Sequence, residues 1–175
     1  MGKITAAITA VGKYLPDYVL TNKILEKMVE TNDEWIVSRT GIKERRILKE
    51  DGKGTGYLAF KAAEDLIERS NVDPTTIDLV IVATATPDMQ AANTGAYVAS
   101  KIGALNAFGF DMDSACSGYL FGMSVVAAFI ESGKYKKVLL IGADKNSSMI
   151  DYTDRATCII FGDGAGATLF EPNEE

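Results

Sequence analysis

Among its 175 residues the chain has no histidine, two cysteines, one tryptophan and four prolines. Each shortage removes a class of function. Without histidine there is no imidazole to act as general base, proton shuttle or metal ligand. Cys116 and Cys158 are far apart, and no acidic cluster has ligand spacing, so no metal is expected. Two thiols without a secretory signal suit the reducing cytoplasm, not a disulfide framework. Positive charge is also short. Eighteen Lys+Arg against 24 Asp+Glu leave a net charge of −6, which disfavours general attraction to nucleic acid or anionic membrane. The two basic clusters, Arg39/Lys43/Arg45/Arg46 and Lys134/Lys136/Lys137, read first as solvated faces.

Long hydrophobic runs are missing too. The longest charge-free stretch, Ser114–Ile130, is interrupted by Gly118, Gly122 and serines, and a buried core helix explains it better than a membrane span. Ile4–Val11 is short, holds two threonines and leads into Gly-Lys, so it does not read as a signal peptide. Gly2 follows the initiator, but Ala6 stands where a myristoylation signal has Ser or Thr.

What is present reads as one globular domain, with 47% apolar and 24% charged residues. Disorder is expected only at the final Glu-Pro-Asn-Glu-Glu. Strand patterns are expected at Ile4–Val11, Leu79–Ala83, Ala107–Met112, Val138–Ile141, Cys158–Phe161 and Ala165–Phe170. Helices are expected from Thr21/Asn22 through Val29, from Asn32 to Gly41, after a Thr55 cap, over Thr94–Lys101 and over Ser114–Ser132. Alternating strands and helices predict an α/β fold with helices on both faces of a mixed, mostly parallel sheet. The last two strands, too close for a crossover helix, should pair antiparallel.

Cys116 stands out chemically. In Phe110-Asp111-Met112-Asp113-Ser114-Ala115-Cys116-Ser117-Gly118 a strand ends, the chain turns, and Cys116 falls in the predicted first turn of an apolar helix. Free N–H groups at a helix start favour a thiolate over a thiol. Gly118 allows close approach of a substrate, and the Cys116 N–H can face an oxyanion on an acyl group attached to its own sulfur. An inert buried cysteine is the alternative. Cys158, inside an apparent strand, reads as core packing. Gly162-Asp163-Gly164-Ala165-Gly166-Ala167 matches a dinucleotide fingerprint, but no helix follows, so it reads as a tight turn between strands. Trp35 and Arg39 lie one helical turn apart and could hold a flat ring such as adenine, or simply pack on each other.

Taken together, Thr21–Met28, Asp33-Glu34-Trp35-Ile36 through Arg39-Thr40-Gly41-Ile42, Val82–Asp88, Asp113–Gly118 and Thr153-Asp154-Arg155 through Gly166 resemble the N-terminal half of beta-ketoacyl-ACP synthase III, of the thiolase superfamily. The resemblance implies a thiolase-type half with a five-stranded mixed sheet, spanning residues 1–175. It implies that Cys116 takes an acyl group from acyl-CoA, usually acetyl-CoA, and that malonyl-ACP then condenses with it under loss of carbon dioxide. Trp35 and Arg155 would bracket the CoA adenine, with Arg39 and Thr40 nearby. A histidine and an asparagine would come from a C-terminal half outside this chain, which alone should be inactive. Homodimerisation, a cytoplasmic location and no cofactor beyond the acyl-CoA substrate are likewise implied. One departure concerns Met89-Gln90-Ala91-Ala92, where many members carry a Phe-Pro pair that shapes the acyl pocket. Competing readings are another acyl-CoA condensing enzyme of the superfamily, a non-catalytic subunit that binds acyl carriers, and a cysteine redox sensor.

Overall fold

The computed structural model describes residues 4–174. Gly2 and Glu175 lie outside them. The elements are β1 (Ile4–Tyr14), β2 (Tyr18–Thr21), α1 (Asn22–Leu25), α2 (Asp33–Thr40), β3 (Glu44–Ile47), α3 (Thr55–Ser70), β4 (Leu79–Ala83), α4 (Thr94–Ile102), β5 (Phe108–Met112), α5 (Gly118–Glu131), β6 (Val138–Lys145) and β7 (Asp163–Glu174).

Five strands form one sheet in the order β1-β7-β6-β4-β5. β4 pairs parallel with β5 and β6, while β7 pairs antiparallel with β6 and β1. Four strands therefore run one way and only β7 opposes them, which makes the sheet mixed and mostly parallel. β4, Leu-Val-Ile-Val-Ala, is buried along its whole length, as a central strand covered on both faces must be. α3 and α4 cover one face, with Leu58, Leu66 and Val98 against Val80, Val82, Leu139 and Ile141. α5 covers the other through Val126 and Ile130, against Leu79, Ile81 and Leu140. A Cβ on Gly109 would come within 2.4 Å of the Gly95 backbone, so two glycines let α4 lie directly on β5.

The last strand is where the pattern misleads. Cys158–Phe161 is not a strand: it belongs to a tight turn in which Cys158 N–H donates to Asp154 C=O at 3.1 Å. Asp154 also accepts from the Ala156 N–H and the Thr157 hydroxyl, and this local capping outweighs the β-propensity of Cys-Ile-Ile-Phe. The glycine run Gly162–Gly166 is accordingly no turn between strands. From Asp163 onward it is strand, paired to β6 on one side and to β1 on the other. Nor does the acidic tail fray up to Glu174, because Glu171, Pro172 and Asn173 pair with Ala7, Ala6 and Thr5. Pro172 is tolerated because pairing with β6 has already ended at Phe170.

Three further differences have physical causes. β1 runs through Gly12 to Tyr14, with an irregularity between Ile8 and Ala10. Gly12 is there to admit α3, since a Cβ would meet the Ala62 carbonyl at 2.5 Å. The first helix is α-helical only to Leu25 and continues as hydrogen-bonded turns to Val29. α5 is not buried all round: Leu120 and Phe121 are 64% and 53% exposed, so only its Gly118/Gly122/Val126/Ile130 stripe is core. A separate antiparallel pair, β2 with β3, was not anticipated from the pattern.

Candidate active site

Two strands end at one cavity. β5 delivers Asp113 and Ser114, and the chain bends sharply into a 3₁₀ turn, Ala115–Ser117, before α5 begins at Gly118. Ala115 has φ 44°, a left-handed conformation that costs an alanine about 1 kcal/mol or more. Cys116 therefore lies one turn ahead of α5, not in its first turn as the pattern predicts. A Cβ on Gly118 would sit 3.4 Å from Ala83 Cβ, so the chain must reverse within a few residues to bring α5 down onto β4. The Cys116 side chain is exposed, and its N–H has no hydrogen-bond acceptor among the described residues.

Cys116 lines a cavity of about 290 Å³ with Tyr119, Asp144, Asn146, Gly162 and Gly164. Carboxylates fix its far wall. Asp144, near the end of β6, accepts hydrogen bonds from the Ala85 N–H at 2.8 Å and from the hydroxyls of Thr84 and Thr86 at 3.0 and 3.1 Å. Asp163 accepts from Ser147 N–H and from Leu48 N–H, each at 2.8 Å. The Asn146 amide donates to the Gly162 carbonyl at 3.0 Å, closing the neck of the β6–β7 connection. Neither Asp144 nor Asp163 stood out in the sequence. Asp163 lies inside the glycine run, and an acidic residue amid glycines beside a strand was the available signal.

The second cluster surrounds the single tryptophan. Asn32 caps α2 by accepting from the Trp35 N–H at 2.8 Å, and Gly41, at φ 71°, ends the helix. Trp35 is half-buried against the small core of Leu25, Ile36, Cys158 and Ile159. The Arg39 guanidinium lies 4.8 Å from the indole centroid, and that of Arg155, 120 residues beyond Trp35, lies 5.0 Å from it. These are contact distances, so no flat ring fits between Trp35 and Arg155 as they stand. A ring must stack in place of a guanidinium. Thr40 is occupied by structure, its hydroxyl donating to Ile36 C=O at 2.8 Å and accepting from Ile42 N–H at 3.0 Å.

The other residues singled out by pattern lie elsewhere. Cys158 is buried, and burial pushes its thiol up from the ordinary value. Arg45 is buried, Arg46 contacts Glu44 and Pro16, and Lys137 contacts Glu171, so the two basic clusters are not single phosphate sites. Met89 and Ala92 line a different cavity, with Tyr57 and Tyr97, not the one at Cys116. Asp88 of the Thr86-Pro87-Asp88 motif caps α3, accepting from the N–H groups of Thr55 and Gly56 at 2.8 Å each. The described residues contain no group of three or more His, Cys, Asp or Glu that could hold a metal, and no helix long and apolar enough to cross a membrane.

Residues 110–175 match the family described as 3-oxoacyl-[acyl-carrier-protein (ACP)] synthase III. Two beta-ketoacyl-[acyl-carrier-protein] synthase III proteins of Bacteroides thetaiotaomicron are 55% and 58% identical to this chain over 175 residues. The chain spans 52% of the length of each. The crystal structure of 3-oxoacyl-[acyl-carrier-protein] synthase III from Aquifex aeolicus superposes with a TM-score of 0.93 at 45% identity, covering 97% of this chain and 55% of that one. Along nearly its whole length, in both sequence and fold, this chain is similar to about half of a beta-ketoacyl-[acyl-carrier-protein] synthase III.

Proposed function

We propose that this chain is the nucleophile-bearing half of an enzyme that starts fatty-acid synthesis by condensing an acyl-CoA, with acetyl-CoA as the starter, with malonyl-acyl carrier protein. The observation that carries the reading is Cys116: an exposed thiol in a turn held at a left-handed alanine, beside a cavity and at the head of α5. Strained backbone at a nucleophile is the recurrent device for presenting it clear of its own helix. In the reaction so proposed, the Cys116 thiolate attacks the acyl-CoA carbonyl, a C–S bond forms, and CoA leaves as its thiol after taking a proton. Malonyl-acyl carrier protein then loses carbon dioxide. The resulting carbanion attacks the Cys116 thioester, the C–S bond breaks, and a 3-oxoacyl carrier is released with the thiolate restored.

Trp35, Arg39 and Arg155 would hold the CoA adenine, one guanidinium giving way to the ring, with Thr40 supporting the end of α2. Donors that stabilise the carbanion, a histidine and an asparagine, would come from a C-terminal half, and the active form would be a cytoplasmic homodimer. No step requires a metal or redox cofactor. Relatives that carry the name beta-ketoacyl-[acyl-carrier-protein] synthase III support this over a non-catalytic carrier-binding subunit. The test is labelling of the complete enzyme with radioactive acetyl-CoA followed by peptide mapping. Label on Cys116, lost in Cys116→Ala, is the expected result. Label on Cys158, or retained after Cys116→Ala, would overturn it.

A further inference from the structure

The Trp35–Arg155 contact joins two segments that have no backbone pairing with one another. Trp35 is on α2, and Arg155 is on the turn within the β6–β7 connection. Arg155 Nη1 donates to the Glu30 carbonyl at 3.2 Å, and Ile36 of α2 shares one small core with Cys158 and Ile159, so part of their relative position is fixed at the surface and by packing. The buried polar link between them is Arg45 on β3, which is only 4% exposed. Its Nε donates to the Ile159 carbonyl at 2.9 Å and its Nη2 donates to the same oxygen. Its Nη1 donates to Asn22 Oδ1. The Asn22 amide in turn donates to Asp33 Oδ1 at 2.8 Å and to the Ile42 carbonyl at 2.9 Å, the two ends of α2. One guanidinium thus connects the helix carrying Trp35 to the turn carrying Arg155.

This arrangement is expensive. Among the described residues Arg45 has no carboxylate partner within ion-pair distance, although a buried cation ordinarily needs one. Burial accordingly pulls its guanidinium below the ordinary value. An apolar side chain could fill the space without that cost, but could not donate in two directions at fixed angles. The same strand holds the rest of the connection. A Cβ on Gly162 would lie 3.1 Å from Arg45 Cβ and 3.1 Å from the Arg46 carbonyl, and Leu48 N–H binds Asp163. Gly162 lines the Cys116 cavity, so β3 sets both the tryptophan cluster and the wall facing the cysteine.

We infer that Arg45 is a positioning residue, which sets the register between α2 and the Arg155 turn and so holds Trp35 and Arg155 together. Its consequence for CoA rests on the proposed function, but the positioning itself does not. Trp35 is the only tryptophan of the chain, so its fluorescence reports this contact without a ligand.

The experiment compares Arg45→Met, Arg45→Lys, Arg155→Ala and the Arg45→Lys/Arg155→Ala double variant of the 175-residue chain. Trp35 emission, acrylamide quenching and CoA affinity are measured on each. Arg45→Lys keeps the charge but loses the fork, and it decides the matter should Arg45→Met fail to fold. The expected result is that each Arg45 variant reproduces the fluorescence change of Arg155→Ala and weakens CoA about three- to tenfold, with no further loss in the double variant. Trp35 fluorescence unchanged in Arg45→Lys, or fully additive effects in the double variant, would overturn the inference. If Arg155→Ala alters the fluorescence but leaves CoA affinity unchanged, the CoA reading fails and the positioning role is judged by fluorescence alone.

Discussion

The two cysteines share a side chain and little else. Cys116 is exposed, follows an alanine at φ 44° and lines a cavity. Cys158 is fully buried beneath Trp35's small core, with burial pushing its thiol toward the protonated form. A thiol is useful as a nucleophile only where its anion is tolerated and a carbonyl can reach it. The contrast therefore lies in surroundings: a strained turn in the open against a capped turn in the core. The β6–β7 connection touches both, through Gly162 at the first and Cys158 and Arg155 at the second.

The comparison would break most completely if the open site proved sufficient by itself. This chain alone should condense acetyl-CoA with malonyl-acyl carrier protein at least about 10⁴-fold more slowly than the same chain supplemented with a C-terminal half, because carbanion-stabilising donors are worth several kcal/mol each. Full turnover by the isolated chain in a condensation assay would contradict this. Next in size is the reactivity of the thiols. Under native conditions iodoacetamide should modify Cys116 on the order of a hundredfold faster than Cys158, since the buried thiol reacts only through local opening. Mass spectrometry of a time course reads this directly, and equal rates would mean that Cys158 is not held as described.

Smaller effects sharpen the boundary between the two regions. Trp35→Ala and Arg155→Ala should each weaken CoA binding to the complete enzyme by about 1–3 kcal/mol in calorimetry. Asp154→Ala removes the acceptor for Ala156 N–H and Thr157 Oγ1, and should raise Cys158 alkylation about fivefold while leaving that of Cys116 unchanged. The smallest expected effect is on pH dependence. Cys158's folded pKa lies above its ordinary value of 9.0, so its contribution is whole below that value. As pH rises further, the unfolded chain ionises first and stability falls. Denaturation midpoints followed from about pH 8 to 10.5 should decline less steeply in Cys158→Ala than in the parent chain.

Much of this protein is written locally. Apolar periodicity sufficed for β4, α3 and α4, because a buried strand and an amphipathic helix state their own burial. Asn32 and Gly41 delimited α2, since an Asx cap and a left-handed end are chemistry of single residues. The turn between β5 and α5 was legible as strand, small polar residues, then helix, whereas the placement of Cys116 ahead of α5 and its exposure came only from the structure. What only the tertiary structure decided involves partners distant in sequence. α3 is capped by Asp88, and α4, besides its local Asn93 cap, by Asp111; no local spacing predicts these two carboxylates, because they arrive from other parts of the fold. Asp154 turned an apparent strand at Cys158 into a turn, and the glycine run became strand because β1 and β6 were both there to pair with it. Trp35 and Arg39 could be placed together from helical spacing, but Arg155 reaches the same ring only through the path of the β6–β7 connection, where it also donates to the Glu30 carbonyl. Periodicity records which side of an element is buried, while contacts across a hundred residues depend on which elements the sheet brings side by side.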